Sequence, residues 1–192
     1  MRFKYLIVFL LLLPPVLFFS SQKVSAYGIE THAGLTQEII KFYNLHFSNN
    51  PIADELKDYL IDGSRREDDP PRWMNHFYDP IYDRGLTASL LGTWPKSKDW
   101  AQDPKSQTAL KYNPVIATFL SLVQTGKIQK FFPTSDFTWQ KALKYYLDGN
   151  FEMAMFTLGH ILHLIEDTAV PDHTRNDAHP EGSPYETYAK QF

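Results

Sequence analysis

The sequence contains no cysteine among its 192 residues. Disulfide bonds and cysteine nucleophiles are therefore excluded, and so is any zinc site built from thiolates. A metal ion bound by this chain must be held by histidine, by carboxylates or by backbone groups. Stability must come from a hydrophobic core, from bound metal, or from both.

The sequence also has no apolar run of the length that a membrane-spanning helix needs. The N-terminal run Leu6–Phe19 follows two basic residues and is shorter than the ~20 residues of a spanning helix. A small-residue pattern that ends at Ala26 is typical of signal-peptidase cleavage. We therefore predict a signal peptide over 1–26, a mature domain over 27–192, and a secreted or periplasmic protein.

Basic residues are not in excess. Lys and Arg total 19 against 22 Asp and Glu, which gives a formal net charge of −3. A protein that binds nucleic acid by neutralising its phosphates shows a basic patch, and none is visible in the sequence. Nucleic acid is therefore a less favoured partner.

No segment alternates apolar and polar residues over the length of a convincing strand, and most apolar spacing is helical. We predict a single, mainly α domain. The segment Asp62–Trp100 is rich in proline, charged and aromatic residues, and it is predicted to be irregular. Helices are predicted over Thr31–Leu45, Asp54–Ile61 and Asn113–Thr125, from a cap at Ser135 or Asp136 to Asp148, from a cap at Asn150 to Val170, and from Ser183 or Pro184.

The helix pair Trp139–Asp148 and Phe151–Val170 resembles one tetratricopeptide unit. Such units bury their apolar faces only against further copies at a fixed period, and the sequence has no second copy. A non-catalytic helical binding module is therefore kept as an alternative.

Four of the seven histidines lie in the segment His160–His179. His163 and Asp167 are four residues apart, which places both on one face of a helix. A carboxylate against an apolar core is costly unless it is paired or bound to a cation. The surrounding apolar positions that predict this core are Met155, Leu158, Leu162 and Ile165.

Three segments resemble zinc-dependent phospholipase C and the related fungal single-strand-specific zinc nucleases. HLIEDTAVPDH, at His163–His173, has the His-x3-Asp-x5-His spacing of that superfamily. HFYDP, at His76–Pro80, resembles a metal-ligand segment of the phospholipases. The predicted mature terminus, Tyr27–His32, resembles the site where the N-terminal amino and carbonyl groups bind zinc. The resemblance implies a compact multi-helix fold with a clustered zinc site.

The resemblance also implies two to three zinc ions and a ligand set. Asp68 is the favoured loop ligand and the candidate general base, with Asp62 and Asp69 as competitors. The first zinc would take Asp68, His76, His163 and Asp167, the second Tyr27, His32 and Asp167, and the third His173, Glu186 and His179.

Two positions depart from the family pattern. Gly182 stands where the third zinc position has a histidine, so His179 would have to replace it from a loop. Glu30 and Trp73 match residues that contact the choline headgroup, and a Trp face suits a quaternary ammonium. Trp73 can equally be a packing aromatic. Asp69 replaces a second aromatic of that pocket, which leaves choline specificity open.

The sequence thus predicts a secreted, zinc-dependent phosphodiester hydrolase that uses metal-activated water and resembles phospholipase C. Its expected partner is a phospholipid or a membrane surface, and no obligate protein partner is indicated. The alternatives are a zinc nuclease or other phosphodiesterase of the superfamily, and a non-catalytic module with a degenerate metal site.

Other polar residues are predicted to stay outside the site. His46 and His160 match no ligand position. Three arginines, Arg65, Arg66 and Arg72, are expected to form ion pairs with Glu67, Asp68 or Asp69 rather than to contact a substrate phosphate. The chain ends at Phe192 within a predicted helix, which favours a fragment or a minimal domain.

Overall fold

The computed structural model describes residues 29–69, 72–88, 92–108, 136–179, 183–189 and 191. Its described part is mainly helical, with one 3-10 turn and one two-stranded antiparallel ribbon that pairs Thr87 with Thr93 and Ala88 with Gly92. The helices are α1 (Ile29–His46), α2 (Asp54–Glu67), α3 (Ser97–Trp100), α4 (Pro104–Thr108), α5 (Trp139–Leu147), α6 (Phe151–Asp167), α7 (Pro171–Thr174) and α8 (Pro184–Ala189); the 3-10 turn is Arg72–Asn75, β1 is Thr87–Ala88 and β2 is Gly92–Thr93.

The core forms where α1, α2 and α6 pack together. Each of these helices carries apolar residues at helical spacing, so one stripe of each can be buried. Ile40 of α1 and Leu60 of α2 are almost completely buried in this cluster. Its other members are Ala33, Ile61, Ile52, Met155, Leu158 and Leu162. Ile165, which the sequence pattern placed in the core, is 59% exposed.

Two glycines set the distance between α2 and α6. A Cβ atom added at Gly63 would collide with the carbonyl oxygen of Phe156, and one added at Gly159 would collide with the carbonyl oxygen of Leu60. Both obstacles are backbone atoms of the facing helix, which cannot turn aside as a side chain can. The two helices therefore approach as closely as their backbones allow, and this brings the residues that follow on each helix near to one another.

Each of the helices α5 and α6 begins at a side-chain cap. Asn150 accepts a hydrogen bond from the backbone N–H of Met153, which confirms the predicted cap of α6. Gly149 has φ 76° and ends the preceding turn. The predicted start of α5 is wrong: Thr138 is the cap, while Asp136 accepts hydrogen bonds from the Thr138 N–H and hydroxyl.

Two helix ends differ from the predicted ones. α2 continues beyond Ile61 to Glu67, because Gly63 and Ser64 are buried against α6 and packing outweighs the low helix propensity of glycine. α6 ends at Asp167 rather than Val170. A short turn then leads to Pro171, which begins α7 instead of merely ending α6.

The segment after α2 is irregular, as predicted, apart from its short helices and ribbon. It has a small core of its own, made of Met74, Phe77 and Leu86. Trp100 is 1% exposed and anchors the segment beside α2.

Several predictions lie outside the described residues. These include the signal peptide and the helix over Asn113–Thr125. Among the helices that the structure describes, none combines the length and hydropathy needed to cross a membrane.

Candidate metal centre

Five elements bring a cluster of imidazole and carboxylate groups together at one end of the α1, α2 and α6 core. The side chains of the cluster are almost completely buried, and they come from α1, the end of α2, the residue after the 3-10 turn, α6 and α7. Its members are His32, Asp68, His76, His163, Asp167 and His173.

Asp167 lies at the centre of the cluster and presents one oxygen to each side. Its Oδ1 is 3.4 Å from His32 Nε2 and 3.3 Å from His173 Nδ1. Its Oδ2 is 2.8 Å from His76 Nδ1 and 3.2 Å from His163 Nε2. Neither oxygen forms a hydrogen bond within the described structure. A fully buried carboxylate in this state needs a cation or a proton beside it.

Asp68 closes one side of the cluster. Its Oδ1 lies 3.8 Å from His76 Nδ1 and 3.7 Å from His163 Nε2. The two imidazole nitrogens are themselves 3.3 Å apart. Three donor atoms therefore face one small volume, which is the arrangement that a single cation requires.

The two competing loop aspartates do not join this group. Asp62 accepts a hydrogen bond from Arg66 at 2.9 Å. Asp69 lies 3.9 Å from the same guanidinium. The structure thus places Asp68, and neither Asp62 nor Asp69, among the groups that can hold a metal.

A third group of donors joins α7 to α8. Glu186 Oε1 lies 3.1 Å from His179 Nε2 and 4.0 Å from His173 Nε2. His179 has φ 28°, a backbone conformation rare for residues with a side chain. Asp177 holds it there, since its carboxylate accepts from the His179 N–H and its carbonyl accepts from Nδ1. His179 thus forms, with His173 and Glu186, one of the groups that could hold a metal ion.

The nitrogens that face away from the cluster are used for orientation. His163 Nδ1 donates to the carbonyl of Ser64 at 2.7 Å, which leaves Nε2 directed at Asp167. His76 Nε2 donates to the carbonyl of Glu67 at 3.2 Å, which leaves Nδ1 directed into the cluster. Metal-binding histidines characteristically donate their second N–H in this way. Sequence reasoning missed both carbonyls, because backbone acceptors carry no residue signature.

Charge and burial oppose one another throughout the cluster. Burial alone would lower the pKa of His32, but the carboxylates of Asp167 and Glu166 beside the ring outweigh burial and raise the pKa to about 10. Burial would likewise raise the pKa of Asp167, but the imidazoles of His173, His163 and His76 hold it well below its usual range. Asp167 is therefore an anion whose ion-pair partners among the described residues are all histidines.

A second buried network lies beneath the cluster and centres on Glu67. Its carboxylate accepts hydrogen bonds from Arg72 Nε at 2.6 Å, Trp100 Nε1 at 2.8 Å and His160 Nδ1 at 2.6 Å. Burial lowers the pKa of His160 to about 4 despite this carboxylate. Arg72 pairs with Glu67, as expected, and His160 belongs to this network rather than to the cluster around Asp167.

The two residues predicted to bind a choline headgroup, Glu30 and Trp73, have their described contacts outside the cluster. Glu30 is exposed and pairs with Arg65 at 2.9 Å. Trp73 is partly buried and packs against the small core that contains Met74 and Phe77. Tyr27, the predicted N-terminal ligand, lies outside the described residues.

The donors fit a transition-metal cation. Ligand atoms within 4.8 Å of one another form four overlapping groups, each with at least one buried histidine. Among the buried polar atoms that form no hydrogen bond in the described structure, His173 Nδ1, His179 Nε2 and Glu186 Oε1 belong to these groups. The site can therefore hold a metal ion. Comparison with protein-family models, with curated proteins and with solved structures gave no match for this chain.

Proposed function

We propose that this protein is an exported, zinc-dependent phosphodiester hydrolase similar to phospholipase C. The observation that carries the proposal is the buried cluster in which Asp167 is shared by four imidazoles. The spacing of HLIEDTAVPDH and HFYDP supports the same assignment. A helical binding module has no use for so many buried ionisable groups directed at one point.

The donor chemistry supports zinc rather than a hard cation. Calcium and magnesium prefer sites made of oxygen ligands, whereas imidazole with one or two carboxylates suits zinc. The groups Asp68–His76–His163 and His173–His179–Glu186 each combine two imidazoles with one carboxylate. Three protein ligands leave a coordination position for water or substrate.

When bound, zinc would supply Lewis acidity toward a phosphoryl oxygen and lower the pKa of a water molecule to ~7. The side chains have the complementary tasks of holding, orienting and accepting a proton. Asp68 is the candidate proton acceptor, because its carboxylate faces the His76 and His163 nitrogens at the edge of the cluster. The backbone carbonyls of Ser64 and Glu67 accept hydrogen bonds from the outer nitrogens of His163 and His76. These two imidazoles are thereby kept in the tautomers that direct their other nitrogens into the cluster.

The proposal also includes recognition of a choline headgroup by Glu30 and Trp73. Arg65 neutralises Glu30 in the present arrangement, so a cationic headgroup would have to compete with an exposed ion pair. Exposed pairs of this kind are worth at most about 1 kcal/mol, which a bound ammonium group can replace.

The test uses protein that begins at Tyr27 and is loaded with zinc. Release of phosphocholine from short-chain phosphatidylcholine is measured beside release of nucleotides from single-stranded DNA, each with and without EDTA. Asp68→Asn is expected to lower the rate by ~10²–10⁴, the usual contribution of a general base. Asp62→Asn is the matched control, since Asp62 pairs with Arg66 outside the cluster, and it should retain the wild-type rate.

EDTA-sensitive phosphocholine release that Asp68→Asn abolishes would support the proposal. Nucleotide release alone would transfer the same centre to a nuclease. Substantially fewer than two zinc ions per chain, together with silence in both assays, would favour the non-catalytic module.

A further inference from the structure

Glu166 lies next to Asp167 on α6, yet its carboxylate faces α1. Its Oε2 is 2.6 Å from His32 Nδ1, and its Oε1 accepts a hydrogen bond from the Thr36 hydroxyl at 3.0 Å. His32 and Thr36 are completely buried, and Glu166 is 7% exposed. Both oxygens of a buried carboxylate are thus engaged by one turn of the neighbouring helix.

This contact determines which nitrogen of His32 faces the metal cluster. Because His32 Nδ1 contacts the Glu166 carboxylate, the other ring nitrogen, Nε2, is directed at Asp167 Oδ1, 3.4 Å away. The ring also stacks on His163, with centroids 3.6 Å apart and planes inclined by 20°. One hydrogen bond and one stacking contact therefore fix both the rotation of the ring and its position.

Glu166 differs from the other groups that orient imidazoles of the cluster. His163, His76 and His179 each donate their outward nitrogen to a neutral backbone carbonyl. His32 has a carboxylate in that place. A carboxylate that accepts a hydrogen bond from the outer N–H makes the inner nitrogen a stronger electron donor, which tightens its bond to a cation.

We propose that Glu166 is a positioning residue that orients His32 and strengthens the metal position to which His32 and Asp167 would contribute. The inference rests on the proposed function, because it assigns a task toward the zinc ion. Loss of such a partner is expected to weaken zinc binding by ~10–100-fold. Thr36 holds the second oxygen of Glu166, so its loss is expected to have a smaller effect in the same direction.

The experiment measures zinc affinity of the purified protein by competition with a chromophoric chelator. Glu166→Gln preserves shape and can still accept from His32, whereas Glu166→Ala removes the acceptor. Thr36→Val tests the supporting contact, and Glu152→Gln, at the exposed start of the same helix, is the control. Nitrogen-15 chemical shifts of His32 in the zinc-loaded protein report directly which ring nitrogen carries the proton.

The expected order of zinc affinity is wild type and Glu152→Gln, then Thr36→Val, then Glu166→Gln, then Glu166→Ala. The His32 signal of an Nδ1–H tautomer should be lost or averaged in Glu166→Ala alone. Should Glu166→Ala not fold, the order of the other variants decides.

Two results would overturn the inference, and they differ from failure of the proposed function. Glu166 variants that melt earlier without metal but bind zinc as tightly as wild type would show a purely structural role. An unchanged His32 tautomer in Glu166→Ala would contradict the orientation. A wild-type protein that binds no zinc would instead overturn the proposed function and this inference together.

Discussion

Zinc should stabilise the fold strongly, and Asp167 should carry much of that effect. A ligand that binds only the folded state stabilises it by about 2.7 kcal/mol when its free concentration is 100 times Kd. For a domain of this size, 1 kcal/mol corresponds to about 2–4 °C in Tm. We therefore expect zinc at that concentration to raise the Tm by about 5–11 °C.

Asp167→Asn removes the negative charge from two of the four donor groups, because His32–His163–Asp167 and His76–Asp167–His173 both contain this residue. A 100-fold loss of affinity would reduce the stabilisation at the same zinc concentration to about 0.4 kcal/mol, or about 1–2 °C. Asp58→Asn, an exposed substitution on α2, is the control and should keep the full zinc-dependent shift.

Differential scanning calorimetry with and without zinc measures both quantities on the same samples. The comparison uses the zinc-induced change within each variant, so any effect of the substitution on the metal-free protein cancels. An equal shift in wild type and Asp167→Asn would refute the central position that the geometry gives to Asp167.

Four further outcomes are expected from the structure. Gly159→Ala should destabilise the fold by at least the ~1–3 kcal/mol typical of overpacking, because the added Cβ meets the Leu60 carbonyl. Urea unfolding measures this loss, and an unchanged midpoint would contradict the close contact between the helices. Zinc binding at pH 7 should displace a proton from His32, whose pKa is raised from 6.5 to about 10, and this release, measured by titration calorimetry in buffers of different ionisation heat, should fade toward pH 10. In the metal-free protein the same raised pKa makes the ion pair of His32 fully stabilising below pH 6.5, with the contribution lost as the pH rises through about 10. Arg72→Met should cost about 3–5 kcal/mol by leaving the buried Glu67 carboxylate without its cation, and equal stability of this variant and wild type would contradict the pairing.

Helices with strong apolar periodicity could be predicted from the sequence, but the residues at which they end could be predicted only in some cases. The cap at Asn150 is a local signal, since the side chain bonds to a backbone N–H three residues later. The continuation of α2 through Gly63 depends on α6, more than ninety residues away, whose backbone fits only against a residue without a Cβ. Local propensity carries no information about such a contact.

The same division applies to the candidate site. The pair His163 and Asp167 could be predicted to share a helical face because their separation is four residues. The hydrogen bond between Glu67 and His160 joins residues 93 positions apart, and no spacing rule indicates it. Glu166 was overlooked for another reason: it neighbours a candidate ligand, and only the packing of α1 on α6 shows that its carboxylate supports His32.

The division of Asp167 between the two sides of the cluster has a thermodynamic consequence. Two cations that share one carboxylate cannot bind independently, because the first changes both the charge and the orientation that the second encounters. The coupling free energy is reciprocal, so each ion changes the affinity of the other by the same factor. On the proposed function, metal loading would therefore be a joint property of the cluster, and a zinc titration should follow a coupled isotherm whose shape reports the sign of that coupling.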